Sequence, residues 1–264
     1  MRKKTALPIL VFSAVIFCIC TGVLGIKGVQ YATSRRAYEA YQREAKCEDV
    51  QGAEPEKQTN RPIHWEAFAG MDVVAWLSLD DLSYPVCQDN SNAFYLHHLP
   101  DGSYNFGGSI FLDTNNDASL SDANSVIYGH NMSDGSMFGS LEERFVKKPC
   151  PNHTFSLFLP DGTRHLYQVS SVQITKENAK AYQTSFPTVG DFVAYQNEMA
   201  KDSLYANDQD IKEKNHMVTL STCYGSAGTD RRLLIQGREV AVEQVQAAVP
   251  DAFYKKNSMK QRRK

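Results

Sequence analysis

The sequence lacks the cysteine spacings that a metal site needs. Of its six cysteines, none forms a Cys-x-x-Cys pair and none joins a histidine cluster with metal-ligand spacing. No acidic cluster of the kind that holds calcium is present either, so the sequence implies no metal and no cofactor. Cys18 and Cys20 lie in an apolar segment, Cys47 in a polar stretch, and Cys87 and Cys150 close to prolines. Spacing leaves open a disulfide among Cys47, Cys87 and Cys150, but the pattern is not that of a disulfide framework. Charge of one sign is also missing: the formal net charge is −2, which indicates no general affinity for nucleic acid. Internal repeats are absent. Acids are missing from Lys255 to Lys264, which holds six Lys or Arg. That basic tail, 246–264, reads as solvated, with contact to anionic lipid or cell-wall polymer as the sharper alternative.

What is present is globular in composition. With 264 residues, 42% hydrophobic and 22% charged, the chain can bury a sizeable core and form one catalytic-size domain with accessory segments. One long apolar run stands out. Thr5 to Ile26 carries no charge, and its 22 residues would span about 33 Å as a helix, enough for a bilayer core of about 30 Å. A cleaved signal peptide is the competing reading, but its apolar core usually runs only about 7–15 residues. An uncleaved anchor over 5–26 is therefore expected. Arg2, Lys3 and Lys4 before the run favour residues 1–4 in the cytoplasm and the rest of the chain outside a single-pass span. Residues 27–62 read as a helical stalk, Gln30 to Lys46, followed by a polar linker with Gly52, Pro55 and Pro62.

From Ile63 the texture changes to short strand-like runs separated by turn residues. They are Val73–Leu79, Tyr84–Val86, Ser109–Leu112, Ser125–Tyr128, Phe155–Leu159, His165–Ile174, His216–Ser221 and Leu233–Val242. Pro160-Asp161-Gly162-Thr163 reads as a hairpin turn. A helix is expected over Asp191–Ser203, where Phe192, Val193, Tyr195 and Met199 recur at near-helical spacing. Many short strands with few helices argue a β-barrel or sandwich over 63–245.

The chemistry concentrates in Val218-Thr219-Leu220-Ser221-Thr222-Cys223-Tyr224-Gly225-Ser226, followed by Arg231 and Arg232. A strand running into a cysteine beside a flexible loop leaves the thiol reachable, whereas a cysteine inside an apolar run is usually inert. Guanidinium groups nearby favour thiolate and can stabilise an oxyanion. Cysteine chemistry also needs a proton partner. His64, His97, His98, His153, His165 and His216 sit in ordinary polar or strand contexts and read as surface or rim residues. His130 differs, because it ends the strand Val126-Ile127-Tyr128-Gly129. There a glycine would let the backbone turn and present the imidazole at a barrel mouth.

Tyr128-Gly129-His130-Asn131-Met132, then Met137-Phe138-Gly139-Ser140-Leu141, then Thr219–Cys223 and Arg232, resemble sortases in that chain order. Sortases are cysteine transpeptidases of Gram-positive surfaces. Gln88–Leu96 and the helical insertion before the last two strands resemble class B in particular. The resemblance covers roughly Ile63 to Val242. It implies an eight-stranded sortase-type barrel with N-terminal helices, on which Cys223 attacks a sorting motif near the C-terminus of a surface protein. The thioacyl enzyme would be resolved by an amine, typically of a peptidoglycan precursor. By the same resemblance His130 handles the proton and Arg232 holds the carbonyl or oxyanion. Asn92, Leu96 and Ser221 would line the groove, with Tyr182 in a loop that closes it. Strand alternation keeps Arg231 and Arg232 from facing one groove together, but Leu233-Leu234-Ile235 is apolar throughout and does not say which faces in. The resemblance selects Arg232.

Rival readings are a papain-like or cell-wall cysteine peptidase, and a membrane-tethered binding module. The former places its cysteine before its histidine, whereas here His130 precedes Cys223 by 93 residues. Within the sortase reading, specialised anchoring is favoured over pilin polymerisation.

Overall fold

The computed structural model describes residues 6–45, 62–148, 153–205, 215–225 and 228–249. The polar linker, Cys47, Cys150 and the basic tail beyond 249 lie outside them. The first described element is one continuous helix, α1 (Ala6–Ala45), which passes through Ile26 without a break. Expected anchor and stalk are thus one rod. From Leu10 to Val29 its residues are exposed, Leu10, Phe12, Phe17 and Leu24 among them. Its second half buries Ser34, Tyr38, Tyr41 and Ala45. Steps of three or four residues put these on a single stripe. That stripe docks on the barrel: Tyr38 Oη donates to Gly108 O at 2.5 Å and Gln42 Nε2 to Ser83 O at 2.8 Å.

All eight expected strands form. They are β1 (Val73–Leu79), β2 (Leu82–Cys87), β3 (Ile110–Leu112), β4 (Asn124–Tyr128), β5 (Thr154–Phe158), β6 (Thr163–Lys176), β7 (Met217–Cys223) and β8 (Arg231–Gln244). They close into a barrel in the order β1-β2-β3-β4-β7-β8-β6-β5. Closure leaves no unpaired sheet edge. Two neighbours are parallel, β2 with β3 and β4 with β7; the rest are antiparallel. The β5–β6 hairpin turns at Gly162, whose φ of +87° favours glycine.

The helix α2 (Val189–Lys201) precedes the last two strands and starts in a capping box between Thr188 and Asp191. Side-chain alternation divides the strands between two cores. Val218, Leu220, Leu233 and Ile235 point into the barrel with the main core. Met217 and Leu234 point outward and pack with Phe192, Tyr195 and Met199 beneath α2. This explains the unbroken Leu233-Leu234-Ile235 run: apolar side chains are covered on both faces. Cys87 is a free thiol, fully buried, and burial pushes it well above the usual thiol range.

Gly237 tests the tightness of the β5–β6–β8 wall. A Cβ there would stand 2.4 Å from the Phe155 ring, which is itself stacked on Tyr167 at 5.2 Å and has little room to retreat. Gly237→Ala is expected to lower stability by about 1–3 kcal/mol, the usual cost of overpacking. Thermal or urea unfolding would measure it, and a neutral substitution would show that this wall yields.

Candidate active site

The parallel pairing of β4 with β7 aligns Tyr128 with Ser221, an offset of 93 residues. His130 and Cys223 are separated by the same number, so they leave the two strands level with each other and on the same face. Backbone bonding continues past the strand end, with Gly129 N–H donating to Ser221 O at 3.1 Å. Asn131 Nδ2 then donates to Cys223 O at 2.9 Å, tying the histidine segment to the cysteine. Across the antiparallel β7–β8 pair, Cys223 lies opposite Arg232. Tyr224 N–H bonds Arg231 O at 3.0 Å, so Cys223 and Arg232 form the next, non-hydrogen-bonded pair, where side chains approach most closely.

This face is the outside of the barrel. Leu233 and Ile235 point in, so Arg232 shares the outer phase with Leu234. The imidazole therefore stands in a groove on the barrel wall and not at its mouth. Gly129 serves a different need from the expected one. It has no positive φ, but a Cβ would meet the Phe138 ring at 2.7 Å. Close packing requires the glycine there.

The groove encloses about 400 Å³ and is lined by Cys223, His130 and Arg232 together with the four expected groove residues Asn92, Leu96, Ser221 and Tyr182. His130 Nε2 lies 2.8 Å from Leu96 O. A carbonyl only accepts, so Nε2 carries the hydrogen and Nδ1 is the basic atom of the neutral ring. Burial lowers the His130 pKa; the Leu96 carbonyl opposes that shift and neighbouring His97 adds to it. His97, expected as an ordinary rim residue, has its ring 6.0 Å from that of His130.

Arg232 is held on three sides. Its Nη1 donates to Thr229 O at 2.8 Å and Arg231 O at 3.1 Å, and Nη2 to Glu177 Oε2 at 2.7 Å. Arg231 is exposed and lies over the Tyr224 ring, 4.8 Å from its centroid. Tyr182 Oη shares a 2.8 Å hydrogen bond with Ser221 Oγ, and its ring stacks on Tyr128 at 6.3 Å. The Tyr182 loop is held from beneath α2: Tyr195 Oη donates to Ala181 O at 2.8 Å and Asn124 Nδ2 to Gln183 O at 2.9 Å. On the opposite wall Asn92 Nδ2 donates to Asp113 Oδ2 at 2.9 Å, and Asn92 Oδ1 accepts from Thr114 N–H.

Sequence reasoning missed four contributors. Phe111 and Tyr128 line the groove, and the alternation that puts Tyr128 two residues before His130 could have found the latter. Asp113 accepts from both Asn92 and Tyr128 Oη. Glu177 reaches Arg232 only through the β6–β8 register, for which no local signal exists. Among the described residues, no group of three or more His, Cys, Asp or Glu side chains is gathered as a metal site requires.

The sequence matches the Sortase domain over residues 78–240. The chain belongs to the sortase family of cysteine transpeptidases. Within that family it is of class B. It is 33% identical over 172 residues to sortase B of Listeria monocytogenes, covering 64% of this chain and 70% of that one. The sortase B structure from Clostridium perfringens superposes with a TM-score of 0.58 at 27% identity, covering 64% of this chain and 94% of that chain. Sortase B from Bacillus anthracis in complex with AAEK1 superposes with a TM-score of 0.64 at 25% identity, covering 80% and 98%.

The His130 environment sets a measurable pH behaviour. Burial disfavours the imidazolium, so the ring should stay neutral to lower pH than a free histidine, whose pKa is about 6.5. NMR titration of the ring in Cys223→Ala should give a midpoint below that value. His97→Asn should move it upward. Because the unfolded chain would bind this proton more readily, its effect on stability is nil well above pH ~6.5 and becomes unfavourable as pH falls through that value.

Proposed function

We propose that this transpeptidase is anchored by α1 in the cell membrane with its barrel outside, cleaves a C-terminal sorting motif of surface proteins, and transfers the acyl group to a peptidoglycan-precursor amine. The observation that carries the reading is the convergence of Cys223, His130 and Arg232 on one open groove. In addition, α1 is long and apolar enough to cross a membrane by length and composition.

In this reading His130 Nδ1 takes the Cys223 proton and the sulfur attacks the scissile carbonyl carbon. The carbonyl oxygen gains the negative charge, and Arg232 donates to it. Collapse re-forms the carbonyl and breaks the C–N bond, with His130 returning the proton to the leaving amine. The acceptor amine then attacks the thioester, His130 takes its proton, and the thiol is regenerated as that proton returns to sulfur. Glu177, Thr229 O and Arg231 O hold the guanidinium so that it need not reorganise when charge develops. The Glu177 pair is too exposed, at 61% for its side chain, to add much stability. The reading gives it an orienting role. Asn92, Leu96, Ser221 and Tyr182 would grip the sorting peptide along the groove.

Kinetics of peptide cleavage and amine transfer test these assignments. Cys223→Ala should abolish both activities, and His130→Ala should be almost as damaging because groups acting as a unit give non-additive losses. Arg232→Ala should lose on the order of 10²–10³ in turnover, the usual cost of an oxyanion donor. Arg232→Lys should also be poor, since a point charge does not reproduce the fork. Arg231→Ala should stay within a few-fold of wild type. A larger loss at Arg231 than at Arg232 would overturn the arginine assignment.

A further inference from the structure

The loop between the Phe94–Leu96 turn and β3 runs down α1 toward its apolar half and back. Asn105 pairs with Ser34, and Phe106 packs against Tyr31 at 5.6 Å with Lys27 Nζ 4.2 Å from its ring centroid. Gly108 O then accepts from Tyr38. Phe106 is thus the point of the loop closest to the apolar end of the helix. Lys27 immediately follows the last residue of the uncharged run, and Tyr31 stands five residues beyond Ile26, about 7.5 Å along the axis. Helical side chains lean toward the N-terminus, which brings the ring closer still. Headgroup layers extend roughly 5–8 Å beyond each face of the hydrocarbon core, and aromatic residues favour that zone.

We propose that the exposed part of the half-buried Phe106 ring rests in the lipid headgroup layer beside α1, making it the membrane-contacting point of the catalytic barrel, with Asn105 and Gly107 buried behind it. The proposal rests on the reading of α1 as a membrane anchor. The occupant is lipid because the helix that carries the loop continues directly into exposed apolar turns, where Val23, Leu24 and Ile26 are all more than half exposed. Lys27 supplies a cation at the same level, suited to anionic headgroups. The contact also bears on the groove. A Cβ at Gly108 would lie 2.4 Å from Leu96 O, and that carbonyl holds His130. The membrane-facing loop therefore packs directly under the support of the imidazole.

The test uses the unaltered full chain in vesicles of phosphatidylcholine and phosphatidylglycerol containing a lipid with a photoactivatable headgroup. Adduct sites are read by peptide mass spectrometry. Adducts are expected on peptides carrying Val29–Tyr31 and on those carrying Asn105–Gly107, both several-fold above the exposed Val189 on α2. Adducts at Val29–Tyr31 without any at Asn105–Gly107 would overturn the lipid contact and leave the anchor standing. Absence from both, in protein that fails to float with the vesicles, would remove the anchor reading and the proposal with it. Equal labelling at Val189 would mark the reaction as indiscriminate and also overturn the proposal.

Discussion

Parallel pairing of β4 with β7 is the constraint on which the site depends. The two strands are far apart in the chain, and a slip of one residue in their register would send one side chain of the His130–Cys223 pair to the opposite face. The register is secured by burial on both sides. Val218, Leu220 and Ile127 belong to the barrel core, while Met217 is covered by α2. Neither face can be exchanged for the other without putting Asn124 or Thr219 into an apolar interior. The antiparallel β7–β8 pairing then sets Arg232 directly across from Cys223.

Asn124, Thr219 and Gln236 are fully buried on the outer face of the same strands. Thr219 Oγ1 donates to Asn124 Oδ1 at 2.9 Å, and Gln236 Nε2 to Tyr195 Oη at 3.2 Å. Buried polar groups are costly unless partnered, so this layer specifies how α2 and the Ala179–Gln183 loop sit on the barrel. Tyr195 and Asn124 bond the carbonyls on either side of Tyr182. The groove wall is consequently built from the core outward. Burial keeps the phenols of Tyr128 and Tyr182 above their ordinary range, so both are neutral hydroxyls facing the groove.

Docking of α1 extends the same logic to the other wall. Ser34, Tyr38 and Tyr41 are among the helix residues best buried against the barrel, and the segment that Ser34 and Tyr38 hold runs through Gly108 into β3. Gly107 approaches α1 closely, since a Cβ there would stand 2.6 Å from Ser34 Oγ. The second half of the helix is thereby a structural part of the domain.

Much of this was legible before any coordinates. Short strand-like runs separated by turn residues mark all eight strands, the near-helical spacing of Phe192, Tyr195 and Met199 marks α2, and a cysteine and a histidine each end a strand beside a Gly-containing segment. Local chemistry is written in local sequence, so these survive inspection of the chain alone. The proposal of Cys223 as nucleophile with His130 as its partner draws on that pattern together with a family resemblance. Tertiary structure decided the rest. Leu233-Leu234-Ile235 is apolar at every position, so only the presence of α2 on one side and the barrel interior on the other assigns Arg232 to the groove face. Glu177 meets Arg232 because β6 pairs with β8 across more than fifty residues of chain. Gly129 is a glycine because the Phe138 ring lies against it. Each of these is a long-range contact, and the free energy that selects it resides in packing between segments that carry no mark of one another in sequence.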